Sequence, residues 1–68
     1  MKHFLYTFDY IQRAWQVFPT AVIITAVDEW EAYNKLRIIY NSAENYIDES
    51  TLSCTCVETI TTSYLEIL

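Results

Sequence analysis

TAVIITAVDEWEAYNKLR, residues 20–37, decides how this chain folds. Residues 20–26 are apolar or β-branched throughout, with Val22, Ile23 and Ile24 consecutive. Such a run suits a strand covered on both faces, and branched side chains, stiff at χ1, favour the pleated backbone. Asp28 then stands where a helix N-cap belongs, and Glu31, three residues on, completes a capping box. Val27 and Ala32 hold the positions of a small hydrophobic staple.

The spacing predicts a helix over 28–41. Ala32, Leu36, Ile39 and Ala43 fall on one stripe, widened on a flank by Tyr33 and Tyr40. Glu31 and Lys35 make an i,i+4 pair in the favoured order. Acids open the helix and Lys35 and Arg37 close it, which suits the macrodipole. Asn41 is the expected left-handed stop, because the chain has no glycine.

Upstream, residues 2–9 alternate, with Phe4, Tyr6, Phe8 and Tyr10 on one side and Leu5, Thr7 and Asp9 on the other. That is a half-buried strand with an aromatic face. Residues 10–18 read two ways. Ile11, Ala14, Trp15 and Phe18 keep helical spacing, with Asp9 and Gln12 as a second capping box. Alternatively the first strand continues through Ile11, turns near residues 13–16, and becomes a hairpin partner ending at Ala26. The turn has no Asn-Gly, Asp-Gly or Pro-Gly pair, but a helix here is short for a strand crossover. The hairpin is the preferred reading. Pro19 then belongs at an edge or bulge, since it cannot donate to a ladder.

Downstream, residues 41–50 are polar and acidic and read as a connector, with Tyr46 and Ile47 tucking under the helix end. Residues 51–68 are rich in Thr, Ile, Val, Tyr and Leu. Leu52, Cys54 and Cys56 share one face of a strand, and further on Tyr64, Glu66 and Leu68 oppose Leu65 and Ile67. The stretch is long for one strand, so a bend near residues 59–63 and a fourth strand are expected. The fold class is α+β over a single domain, 1–68. A three- or four-stranded antiparallel sheet packs one face on one helix, in the order β-β-α-β or β-β-α-β-β. The second strand is apolar on both faces, and a second copy or a partner is expected to bury some of that surplus.

Composition narrows the function. At 68 residues and 53% hydrophobic, the chain buries roughly 60% of its unfolded surface and lacks the signature of disorder. No window reaches the ~20 apolar residues of a membrane span, and no signal-peptide pattern opens the chain. A soluble cytoplasmic protein with no membrane partner is therefore expected. The net charge of −5, with only Lys2, Arg13, Lys35 and Arg37 as strong cations, makes direct nucleic-acid binding unfavourable. A protein partner with a basic surface fits better.

Catalytic groups are sparse. His3 is the only histidine and has no acid placed to orient it. Cys54 and Cys56 leave one face of a strand, an awkward geometry for a mutual disulfide, so reduced thiols are expected. Together with His3 they fall short of the four ligands of a zinc site, unless one is shared across a dimer. The acid groups 28–31 and 48–49 cap a helix and decorate a loop, with no pocket to split their pKa values. Without glycine there is no phosphate-cradling loop. The expectation is a non-enzyme with no catalytic residue, cofactor or metal.

What remains is an apolar and aromatic surplus that a small domain cannot hide entirely, on the helix and at Trp15 and Phe18, which border the uncertain turn. Ile38 lies opposite the core stripe and Trp30 on its rim, and tryptophan is a common anchor of protein interfaces. The expected contact set is Trp30, Glu29, Glu31 and Ile38, with Asp48 and Glu49 adding electrostatic steering. The alternative is a structural homo-oligomer, such as a homodimer, associating through its sheet face or edge.

The run AVDEWEA at 26–32, following a hairpin and followed by the strand-like VETI at 57–60, resembles small phage-encoded accessory proteins, including some anti-CRISPR inhibitors. In those a hairpin is paired with a helix entered through an alanine–x–acid–x–x–Glu–Ala run. The resemblance implies an inhibitor that occupies a surface of host nucleic-acid machinery, for example a CRISPR effector, in the host cytoplasm. The chain lacks the glycines that such proteins carry in their turns, and no functional residue is carried over.

Overall fold

Alternation along the first strand puts Phe4, Tyr6 and Phe8 on one face, and all three are buried. The computed structural model describes residues 1–57 and 66–67. Over these the elements are β1 (Lys2–Gln12), β2 (Gln16–Ala26), α1 (Glu29–Tyr40), β3 (Tyr46–Val57) and β4 (Glu66–Ile67). They form one sheet in the order β3-β1-β2-β4, and α1 packs on the face that carries the aromatics. β1 lies between β2 and β3 and pairs antiparallel with each, the antiparallel sheet the sequence implies. β4 runs parallel to β2, so the fourth strand does not continue the antiparallel pattern. The bend expected near residues 59–63, the strand run beyond Val57 and the alternation read into residues 64–68 lie outside the described residues, β4 itself apart.

Residues 10–18 form the hairpin. Strand pairing runs unbroken from Lys2 opposite Ala26 to Gln12 opposite Gln16, joined by a single 3₁₀ turn at Arg13–Trp15. Trp15 sits at φ 62, the left-handed region. A three-residue hairpin loop ending in a left-handed residue is a standard solution in which glycine normally takes that place. This chain has none, and a tryptophan bears a cost of order 1 kcal/mol instead.

Pro19 costs the ladder nothing. It faces Asp9 across the hairpin, and the Asp9 amide points the other way, donating to Thr51 Oγ1 at 2.8 Å. The pair is therefore non-hydrogen-bonded, and the missing N–H of Pro19 falls on the outer edge of β2.

The helix begins as expected. Asp28 is extended (φ −148) and its Oδ1 accepts from the Glu31 amide at 2.8 Å. Glu31 does not close the box in return: its carboxylate meets Lys35 Nζ at 3.2 Å. Lys35 also donates to the Thr25 carbonyl at 3.0 Å, which ties the helix to β2. The staple does not form, because Val27 faces solvent while Ala32 is buried. The buried stripe is Ala32, Leu36 and Tyr40, not one running through Ile39 and Ala43. Tyr40 wins the inner position because its ring meets Phe8 and Tyr10 edge-on, with centroids 5.3 and 5.2 Å away. That rotation leaves Ile39 half in solvent. Asn41 is extended (φ −91, ψ 128) rather than left-handed. Its side-chain oxygen accepts the Ile47 amide at 3.0 Å, so the chain leaves the helix directly toward β3.

The connector is shorter than its composition suggests. It spans residues 41–45, closed by Ser42 N–H to the Asn45 carbonyl at 2.8 Å. The acids at 48 and 49 already belong to β3, at an irregularity between Thr7 and Asp9 where the pairing shifts. Asp48 Oδ1 accepts from Ser50 N and Ser50 Oγ there, which explains why a strand segment reads as a loop. Ile47 is buried under the helix end as expected, and Tyr46 stays outside.

The core is Phe4, Tyr6, Phe8, Val22, Ile24, Ala26, Ala32, Leu36, Tyr40 and Ile47. Ile23 points to the opposite face and is only 1% exposed. The consecutive apolar run of Val22, Ile23 and Ile24 is thus buried within the chain, whereas Val17 and Phe18, nearer the hairpin turn on the same strand, stay exposed.

Candidate functional site

With Ala32, Leu36 and Tyr40 turned inward, the 3.6-residue period turns Trp30, Asn34 and Ile38 outward. Trp30 is 72% exposed and Ile38 80%. Asn34 between them donates through Nδ2 to the Trp30 carbonyl at 3.0 Å, which fixes its side chain along the helix. Two shallow depressions flank the stripe. One, of about 330 Å³, lies among Glu29, Trp30 and Tyr33. The other, of about 260 Å³, lies among Asn34, Arg37, Ile38 and Asn41.

The six residues expected to make contact do not all meet. Trp30 and Ile38 share the outer surface of α1, while Glu29 adjoins Trp30 and Tyr33 at the helix start, with its carboxylate close enough to act on the Cys54 thiol. Glu31 is on the β2 flank, half exposed and paired with Lys35. Glu49 is brought to the other flank, where its Oε1 accepts the Tyr33 hydroxyl at 3.0 Å. The Arg37 guanidinium stacks 5.6 Å from the Tyr33 ring centroid. Burial, then the Glu49 carboxylate, holds the Tyr33 hydroxyl above its ordinary pKa, against the pull of Arg37. Asp48 is elsewhere. Ile47 points to the helix, so Asp48 points to the far face, opposite Asp9.

Beneath the first helical turn lies the most perturbed group. The Tyr6 hydroxyl donates to the Glu29 carbonyl at 3.4 Å and lies against the Cys54 thiol. Burial pushes its pKa well above the usual tyrosine value, with the Cys54 hydrogen bond adding to the shift. Burial also raises the Cys54 thiol, and the Glu29 charge works in the same direction. Both groups stay neutral at physiological pH, and the pair locks the helix start to the sheet. Cys54 and Cys56 are free thiols. His3 is half-buried, with Nδ1 2.8 Å from Thr25 Oγ1. Among the described residues no group of three or more His, Cys, Asp or Glu side chains is placed to hold a metal ion, and no helix is long and apolar enough to cross a membrane.

A second exposed cluster sits at the hairpin tip, and sequence reasoning did not assemble it. Trp15 is 81% exposed, and a depression of about 240 Å³ lies among Ile11, Gln12, Arg13, Trp15, Glu44 and Tyr46. Arg13 Nη1 lies 4.0 Å from Glu44 Oε2 across it, a solvent-exposed pair of little energetic weight. The signal available in the sequence was the strand register, which brings Tyr46 opposite Ile11. That register could not be read while residues 10–18 remained ambiguous.

No protein-family model matches the chain, and neither the curated proteins nor the solved structures searched give a match.

Proposed function

We propose that this protein is a non-enzymatic binding module whose helix docks by its outer stripe on a basic surface of another protein. One observation carries the reading: Trp30 and Ile38 lie mostly in solvent on a helix whose inner stripe already secures it to the sheet. A tryptophan held on a rigid helix anchors an interface at little entropic cost, and such anchors supply most of a contact's energy. Glu29 beside it and the net charge of −5 select cationic partners and speed their approach. Arg37, at the far end of the stripe, gives the surface a direction. The phage inhibitors that the chain resembles act by occupying surfaces of this kind. The partner class named by the reading is therefore nucleic-acid machinery in the cytoplasm, such as a CRISPR effector, contacted through protein and not through nucleic acid.

The experiment is a pull-down from the native host with the partner identified by mass, followed by titration of that partner. Trp30→Ala should abolish binding while leaving thermal unfolding unchanged, and affinity should fall as salt rises. A titration flat in salt removes the electrostatic half of the proposal. Full binding by Trp30→Ala removes the anchor.

A further inference from the structure

The two edges of the sheet are chemically unlike. On the β2 side Pro19 has no N–H to offer, and β4 covers Val22 and Ile23. On the β3 side no described residue lies beyond the strand. The register fixes which groups that open edge presents. The Asp9 amide points toward β3, and by alternation so do those of His3, Leu5 and Thr7, paired with Val57, Thr55 and Ser53. Leu52, Cys54 and Cys56 therefore turn their N–H and C=O groups outward. Open edges are usually guarded by lysine, proline or a bulge. Residues 51–57, TLSCTCV, carry no charge and no proline, and their pairing with β1 is regular from Ser53 onward.

We infer that this edge pairs with the same edge of a second copy, antiparallel about a two-fold axis at Cys54. Leu52 then lies opposite Cys56 of the partner subunit, and about six N–H···O=C bonds form between the outward-facing residues. The charge pattern selects this occupant. A strand from a basic protein gains nothing along a neutral edge, because the acids that attract it, Asp48 and Glu49, lie upstream of the open stretch. Two copies of 51–57 meet with only uncharged side chains opposed. Because the β2 edge is blocked, association stops at two and gives a closed dimer rather than a filament. Side chains opposite one another in a sheet leave the same face, so both helices lie on one side of the joined sheet. This goes beyond the docking reading and presents its Trp30 stripe twice.

The test is the molar mass by sedimentation equilibrium in reducing buffer. The wild-type protein should rise with concentration from 8.1 kDa to twice that. Added salt should strengthen association, since both copies are negative, the opposite of its effect on docking to a basic partner. Cys56→Pro removes an outward N–H and no bond to β1, as Pro19 does on the other edge, and should remain monomeric with an unchanged circular-dichroism spectrum. Cys56→Ser should dimerise like wild type, which separates strand pairing from thiol chemistry. Should Cys56→Pro fail to fold, hydrogen exchange on the wild type decides. The Leu52, Cys54 and Cys56 amides should slow about tenfold or more as concentration rises, with Ser53 and Thr55 protected throughout. A mass of 8.1 kDa up to about 1 mM, a folded Cys56→Pro dimer, or exchange at those amides independent of concentration overturns the proposal. A monomeric result leaves the docking proposal untouched.

Discussion

Helix α1 has two faces that answer to different demands. Its inner stripe, Ala32, Leu36 and Tyr40, meets an aromatic strand face and is buried. Its outer stripe, Trp30, Asn34 and Ile38, is built from residues of comparable bulk and touches little of its own chain. Folding explains the first set completely. The second set places an indole and a branched aliphatic in water, where each gains nothing for the monomer. The difference separates residues kept for stability from residues available for contact.

The largest effect expected on this contrast comes from the inner face. Leu36 is 0% exposed, and Leu36→Ala should cost about 2–5 kcal/mol, enough to unfold much of a domain this small. Urea titration followed by circular dichroism measures it. Next come the two ends of the local scaffold. Asp28→Ala removes the cap on the Glu31 amide and should cost about 1 kcal/mol. Trp15→Gly relieves the left-handed backbone and should stabilise by about 1 kcal/mol. A loss on Trp15→Gly would mean that the indole packs usefully in the monomer, which its 81% exposure argues against.

Alkaline pH tests the inner side of the first turn. The folded chain holds the Tyr6 proton above the ordinary value of 10.0 and the Cys54 proton above 9.0. The unfolded chain releases both first, so their contribution is full below about pH 9 and is lost as pH rises through the folded values. Tyr6→Phe should flatten that decline when melting temperature is followed from pH 8 to 11 on a scale of about 1 unit per step. The smallest stability effect belongs to the outer face. Trp30→Ala and Ile38→Ala should each change unfolding free energy by no more than about 0.5 kcal/mol.

Much of this architecture was legible in the chain. The period-2 aromatics of β1, the solid apolar run of β2 and the Asp28 cap each follow from one local rule, and each stands in the structure. The misreadings come from tertiary choices. Tyr40 displaced Ile39 because Phe8 and Tyr10 offered edge-on ring contacts that no helical wheel displays. Asn41 stayed extended because a strand amide, that of Ile47, was available to its side chain. The hairpin was ambiguous because its left-handed position holds a tryptophan, the opposite of a turn signal. Of the contact set, Trp30 and Ile38 fall on one stripe because periodicity placed them there, whereas Glu31 is drawn to the β2 flank by Lys35. Asp48 was separated from Glu49 because a strand sends neighbours to opposite faces, and residues 48–50 do not read as strand until their pairing with β1 is known.

The contrast between the two helix faces is tested most directly by isothermal titration of the captured partner with wild-type protein and with Trp30→Ala, at low and at physiological salt. The account predicts a loss of at least about 2 kcal/mol of binding free energy on truncating the indole, at an unchanged melting temperature, and weaker wild-type binding at the higher salt. Equal affinity of the two proteins, with no response to salt, would contradict it.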